Sequence, residues 1–165
     1  ALSRANASQG SYTTPKESLS PARLTQKTLL CAAQGVRKVN LFPGRYIDGQ
    51  HHLALGEASR TIWENERFYY RGQREDALVS LTTTDGRAPD REATAHTAWT
   101  HDKESLVTVF NFTATPLPLR LDLAVPVAAV TDEDGQVLAL DTGLERPVVP
   151  ITIPAHGTRL LTLQR

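Results

Sequence analysis

Methionine is absent from this 165-residue chain, cysteine occurs once, and the formal net charge is zero. A chain without methionine cannot begin with its own initiator residue, so we expect a piece of a larger polypeptide. Cys31 sits among Leu29, Leu30, Ala32 and Ala33; alone it can build neither a disulfide nor a thiolate metal site, and it reads as a small buried hydrophobe. Eighteen basic residues balance eighteen acidic ones, so no long-range field gathers nucleic acid or an acidic membrane surface. No apolar run approaches the roughly 20 residues of a membrane span, and residues 1–20 lack the charged-then-apolar order of a secretory leader. Neither nucleic acid nor membrane is an expected partner. The G-x-S-x-G elbow of acyl-transfer enzymes is missing too. Hydrophobic residues nevertheless make up 40% of the chain, enough to bury a core.

The patterning changes near residue 72. Residues 1–19 are rich in Ser, Thr, Asn, Gln and Gly, the composition of a surface loop. Ser20-Pro21 is a helix start, because the serine oxygen can accept a free backbone N–H and proline's fixed φ suits the first helical position. Leu24, Thr28, Cys31 and Ala32 then recur at helical spacing as far as Gly35, whose tolerance of positive φ supplies a stop. The spacing predicts a helix over 21–34. Residues 36–42 contain Val39, Leu41 and Phe42 and read as a buried strand closed by Pro43-Gly44. A long helix is predicted over 53–71, with Leu55, Ala58, Ile62, Glu66 and Tyr69 on one stripe and Gly72 at its end. One strand between two helices has two unpaired edges and needs strands from elsewhere.

After Gly72 the period shortens to two. Strands are predicted over 77–83, 106–112, 117–123, 127–131, 137–140, 148–153 and 158–163, with turns at 84–87, 132–135 and 154–157. Leu117, Leu119, Leu121 and Leu123 alternate with Pro118, Arg120 and Asp122, which implies one buried and one wetted face. About seven short strands of this kind point to an antiparallel β-sandwich of Greek-key type. The expected fold class is therefore α/β plus all-β, with residues 1–72 forming one unit and 73–165 another.

These phrases resemble glycoside hydrolases. A helix ending in AAQGV, the segment KVNLF and a long closing helix are similar to the last helix-strand-helix of a TIM-type (β/α)8 barrel. LVTVFNFTATPLPLRLDL, DEDGQVL and ITIPAHGTRLLTLQR resemble the small β-sandwich that follows such barrels. The resemblance implies a C-terminal portion of such an enzyme, with a carbohydrate substrate and with the rest of the parent polypeptide, or another chain, completing the barrel. Barrel chemistry sits on loops beyond the C-terminal ends of the strands, and glycoside hydrolysis uses two carboxylates. The family pattern puts these at the ends of the fourth and seventh strands, hence before Ala1. No catalytic residue is then expected within this sequence, and no cofactor.

The loop after Phe42 would face the sugar. Arg45, Tyr46 and Asp48 are its candidate substrate-binding residues, since a charged pair and an aromatic ring can grip hydroxyls and stack on a pyranose; the plain alternative is an Arg–Asp pair that stiffens the loop. His51-His52 lacks a third ligand at a fitting spacing for a metal. Glu57, Glu64 and Glu66 read as surface partners of Arg60, Arg67 and Arg71. Trp63, Phe68, Tyr69 and Tyr70 read as packing between the helix and the β region rather than as a sugar platform. His96, Trp99, His101, Asp90 and Asp102 allow a triad on paper, without a nucleophile elbow. Asn6-Ala7-Ser8 and Asn111-Phe112-Thr113 match the glycosylation pattern, and Asp132 to Gly135 reads as a hairpin turn, not a calcium loop. The rival reading is a non-catalytic carbohydrate-binding or structural β-sandwich; the scarcity of aromatics after residue 100, Phe110 and Phe112 only, counts against it.

Overall fold

The structure is a computed structural model that describes residues 20–38, 48–143 and 146–165. Helix α1 (Pro21–Ala33) starts as its sequence dictates: Ser20 accepts a hydrogen bond from the Arg23 N–H at 3.3 Å, with Pro21 in the first turn. It ends in a Schellman motif, the Gly35 N–H donating to Ala32 O (2.8 Å) and the Val36 N–H to Cys31 O (2.9 Å), with Gly35 at φ +83°. Cys31 itself is half-buried, not fully buried. Of the strand expected over 36–42, residues 36–38 form no strand with any of the described residues, and 39–42 lie outside them.

The single helix expected over 53–71 is two helices, α2 (Gly49–Glu64) and α3 (Glu66–Arg71). It begins earlier because Asp48 caps it, and it breaks at Asn65, whose Nδ2 donates to Thr61 O at 2.9 Å and whose backbone leaves helical geometry at φ −107°, ψ 16°. Asn side chains compete with the helix for backbone partners in this way. Gly72 closes α3, but not through positive φ: its φ is −76°. A Cβ there would sit 2.4 Å from Phe68 O and 2.8 Å from Thr100 O, so the glycine is needed for close approach of α3 to the sheet.

The rest of the described chain forms two antiparallel sheets. Strands β1 (Gln73–Arg74), β3 (Thr94–His101), β4 (Glu104–Asn111), β8 (Thr158–Gln164) and β6 (Ala129–Thr131) make a five-stranded sheet in the order β1-β3-β4-β8-β6. Strands β2 (Val79–Thr83), β5 (Leu117–Leu123) and β7 (Val148–Ile153) make a three-stranded sheet in the order β2-β5-β7. Only β3 and β4 are sequence neighbours joined as a hairpin, across Asp102-Lys103 with Asp102 at φ +55°; every other connection passes from one sheet to the other. Two expectations fail here. The stretch 94–101, read as a segment preceding a strand, is itself β3, and 137–140 is no strand, touching its neighbour only at the single bridge Thr131–Val137.

The two sheets close on one apolar core. Val107 and Val109 of β4, Leu161 and Leu163 of β8 and Val130 of β6 meet Val79, Leu81, Leu119, Leu121, Leu123, Val149, Ile151 and Ile153 from the other sheet. A second core lies on the opposite face of the five-stranded sheet, where Leu106, Phe110 and Leu160 pack against Leu29, Ala32, Ala33, Ala58, Phe68 and Tyr69 of the helices. Burying each large apolar side chain contributes about 1.5–3 kcal/mol. The small residues Ala54 and Ala58 bring α2 close to α1, close enough for Thr25 Oγ1 to donate to Ala54 O at 3.2 Å.

Polar side chains pin the helices to the sheet. Gln26, 5% exposed, donates through Nε2 to Asn111 O (2.6 Å) and Gly157 O (2.9 Å). Trp99 Nε1 donates to Ala33 O at 2.8 Å, at the end of α1. Tyr69 OH and Thr108 Oγ1 share a buried hydrogen bond of 3.0 Å. Burial pushes the Tyr69 phenol up to about 12, against a smaller downward pull from that bond to Thr108.

Candidate functional site

Of the three loop residues picked out by the sequence, Arg45 and Tyr46 lie outside the described residues, and Asp48 lies at the N-terminus of α2. Asp48 Oδ1 accepts the His51 backbone N–H at 3.0 Å and meets His51 Nδ1 at 2.7 Å. The hydrogen bond from the His51 side chain, foremost, and from its backbone hold the Asp48 carboxyl below the usual carboxylate value. The sequence pattern places Asp48 in a loop; the structure makes it the cap of α2, a position for which Asp is among the most favoured residues. The Asp48 side chain remains 66% exposed, so a further hydroxyl can still reach it.

Between the helices lies a groove of about 270 Å³, lined by Thr28, Ala32 and Val36 from α1 and its exit, and by Leu55, Ile62 and Tyr70 from α2 and α3; neither Asp48 nor the first turn of α2 lines it. No strand residue contributes to it. Val36 and Tyr70 are each 44% exposed, and Trp63 and Leu53 of α2 are exposed as well. The aromatic group therefore divides. Phe68 and Tyr69 pack on the sheet as expected, whereas Trp63 and Tyr70 do not. The groove's signal in the sequence was Ile62 and Leu55, placed together on the buried stripe; the helix instead carries apolar side chains on more than one face.

The remaining candidates resolve into structural positions. His51 is tied to Asp48, and among the described residues no three His, Cys, Asp or Glu side chains converge as metal ligands. His96 faces Asp76 O at 3.4 Å, and His101 meets Asp102 at 3.3 Å in the β3–β4 turn. Asp76, at the crossing from β1 to β2, feels opposing forces: burial pushes its carboxyl up, and hydrogen bonds from Arg74 (2.8 Å) and the Ala98 N–H (3.0 Å) outweigh it, leaving the net shift downward. Arg67 pairs with Glu104 of β4 at 2.5 Å, not with an acid on its own helix. Asn111 is fully buried and its Nδ2 donates to Thr115 O (2.7 Å), Ile153 O (3.2 Å) and Pro154 O (2.9 Å), so it holds a turn and is closed to glycosylation; Asn6 lies outside the described residues. Asp132 Oδ1 accepts the N–H groups of Asp134 (3.1 Å) and Gln136 (2.8 Å), as a turn residue does.

No protein-family model matches the chain, and no curated protein matches it. Solved structures do. Over 90% of its length the chain is similar to AmyP, determined in complex with maltose, at a TM-score of 0.60 and 11% identity, covering 35% of that chain. It is similar over 92% of its length to α-galactosidase I from Mortierella vinacea (TM-score 0.54, 9% identity, 37% of that chain). Over 88% it is similar to a GH27 β-L-arabinopyranosidase from Geobacillus stearothermophilus, determined as the D197A variant with arabinose (TM-score 0.51, 14% identity, 31% of that chain). The chain thus has a fold found within glycoside hydrolases, and it spans about a third of the length of those proteins.

Proposed function

We propose that this chain is the C-terminal portion of a glycoside hydrolase. Residues 1–72 form the terminal part of a (β/α)8 barrel, and residues 73–165 form the β-sandwich that packs against it. The observation that carries the reading is the groove between α1 and α2. The helices bury one side on the five-stranded sheet and leave Leu55 and Tyr70, with Val36 just beyond α1, along a groove whose inner edge is Ile62, a residue that also packs against the helix–sheet core. Contiguous apolar surface of that kind marks a contact, and the barrel strands and helices of the remaining polypeptide are its natural cover.

On this reading the chain supplies one wall of a sugar cleft, and the two carboxylates of glycosidic cleavage reside on strands outside it. One would protonate the leaving oxygen, and the other would attack the anomeric carbon or activate water, through an oxocarbenium-like state. Arg45, Tyr46 and Asp48 would bind the sugar without entering the bond-making steps. Asp48 suits that role: the His51 hydrogen bonds keep its carboxyl ionised and fix its direction, and an ionised, fixed acceptor binds hydroxyls more strongly than a mobile neutral one. Arg45 would donate to neighbouring hydroxyls, and Tyr46 would stack on the ring face.

The test is to express the chain together with the polypeptide encoded upstream and assay it on aryl glycosides. Hydrolysis by the complete protein, none by this chain alone, and loss of activity when either of two strand-end upstream carboxylates is changed to its amide would support the reading. Within the active protein, Arg45→Ala should raise KM more than it lowers kcat. An upstream region lacking both a barrel pattern and paired acids would overturn the proposal.

A further inference from the structure

Among the described residues, four buried polar side-chain atoms have no hydrogen-bond partner: Thr97 Oγ1, His156 Nδ1, Thr158 Oγ1 and Arg159 Nε. Three of these four belong to residues 156–159. Buried polar groups are almost always paired, and each exception calls for a cause; Thr158 and Arg159, adjacent on β8, point to opposite faces of the sheet, so the two that can share one are His156 and Thr158. His156 and Thr158 line a cleft of about 430 Å³ whose facing wall comes from α1 and α2. That size falls within the roughly 300–1,000 Å³ usual for small-molecule sites. The cleft shares no lining residue with the groove between α1 and α2.

The wall bearing these groups is built firmly. The Gly157 N–H donates to Pro154 O (2.9 Å), the His156 N–H donates to Thr113 O (2.9 Å), and the buried Gln26 donates to Gly157 O (2.9 Å). His156 is held at φ +49°, a conformation few side chains adopt. Leu29 and Leu160 supply an apolar floor, while Glu57 and Thr61 stand on the α2 side. Glu133, also at the cleft, is neutralised by Arg159 at 2.5 Å, whereas Glu57 has no ion pair among the described residues. The cleft is therefore lined by one carboxylate without an ion pair among the described residues, by the hydroxyl-bearing Thr25, Thr61 and Thr158, and by an imidazole, over an apolar base.

We infer that this cleft binds a neutral polyhydroxylated ligand of the oligosaccharide class, apart from the proposed catalytic cleft. An anion would meet Glu57, and none of the residues lining the cleft is a Lys or Arg. A cation would find a single exposed carboxylate, worth little in water. A row of hydroxyls matches every group present: it donates to Glu57, exchanges hydrogen bonds with Thr61 and Thr158, and lays its C–H face on Leu29 and Leu160. His156 Nδ1 and Thr158 Oγ1 are closed off from solvent, so binding requires both side chains to turn toward the ligand. The choice of a sugar among polyols rests on the glycoside hydrolase reading; the site does not.

The experiment is a titration of this chain with maltotriose and with xylotriose, with glycerol as the control, followed by NMR of backbone amides and histidine rings. We expect saturable shifts centred on His156, Thr158 and Glu57 with at least one trisaccharide, at a Kd of about 1 mM or below. Glu57→Gln and Thr158→Val should each weaken binding roughly five-fold or more, and Thr97→Val, at the orphan remote from the cleft, should leave it unchanged. His156→Asn, which tolerates the left-handed backbone, replaces Thr158→Val should that variant fail to fold. Shifts that never saturate, sugar shifts no different from those of glycerol, or variants that bind like the parent overturn the site. The barrel reading would survive that result, because it depends on the upstream carboxylates and on activity of the complete protein.

Discussion

The two sheets solve the same packing problem with opposite sequence patterns. In the three-stranded sheet, β5 alternates strictly, with Leu119, Leu121 and Leu123 in the inter-sheet core and Pro118, Arg120 and Asp122 turned away from it. In the five-stranded sheet, β4 is buried from Ser105 to Asn111 without interruption: Val107 and Val109 enter the inter-sheet core, and Leu106 and Phe110 meet the helices. A strand covered on one face keeps the period of two, and a strand covered on both loses it. The near-continuous apolar run of β4 is thus a record of the helical layer lying over it.

That contrast can be broken most severely at Phe110, whose side chain is wholly buried on the helix side. Phe110→Ala should cost about 3–5 kcal/mol in denaturant unfolding, as much as an inter-sheet core truncation; a loss below about 1 kcal/mol would mean that the helices do not cover β4 in solution. Next in size is the polar pin. Gln26→Leu removes the donor to two β carbonyls and should destabilise by about 1–3 kcal/mol, with faster amide exchange in α1 than in β5.

Tyr69 sharpens the comparison through pH. Its phenol ionises near 12 in the folded chain against 10.0 ordinarily, so the folded state holds the proton more tightly. Its contribution is therefore complete below pH 10, declines as the unfolded chain begins to ionise there, and is lost through about 12. Ultraviolet titration should show a late tyrosine phase, and Tyr69→Phe should abolish that phase while costing about 1 kcal/mol for the hydrogen bond to Thr108. The smallest effect belongs to the wetted face of β5: Arg120→Ala should change stability by less than about 0.5 kcal/mol, and a larger loss would mean that this face is covered too.

Local chemistry was legible residue by residue. Ser20-Pro21 and Gly35 bounded α1 because capping and positive φ depend on neighbours in sequence, and the Leu117 to Leu123 alternation gave both the strand and its buried face. The turns at Gly86 and Gly135 were equally plain, with φ of +81° and +76°. Strand β3 was not. Thr-Ala-His-Thr-Ala-Trp-Thr-His carries no strong apolar alternation, and it is a strand because β4 pairs with it along its whole length from Thr94 to His101. The break at Asn65 hid inside a continuous helical stripe, since nothing in the spacing shows that Asn65 turns back to Thr61. At the proposed site, Asp48 was visible as an acid in a loop, but its capping bond to His51 needed the helix to start four residues earlier than the apolar stripe suggested.

The sequence by itself determined helix caps, turns and the one-sided strands, because those rest on backbone preferences and on periodicity within a few residues. The tertiary structure decided which strands share a sheet, which face of β4 meets the helices, and that residues 156–159 stand opposite Glu57 across a cleft. Those are pairings between positions as far apart as Gln26 and Gly157, and a contact across such a separation is fixed by the joint packing of two cores, which no local window contains.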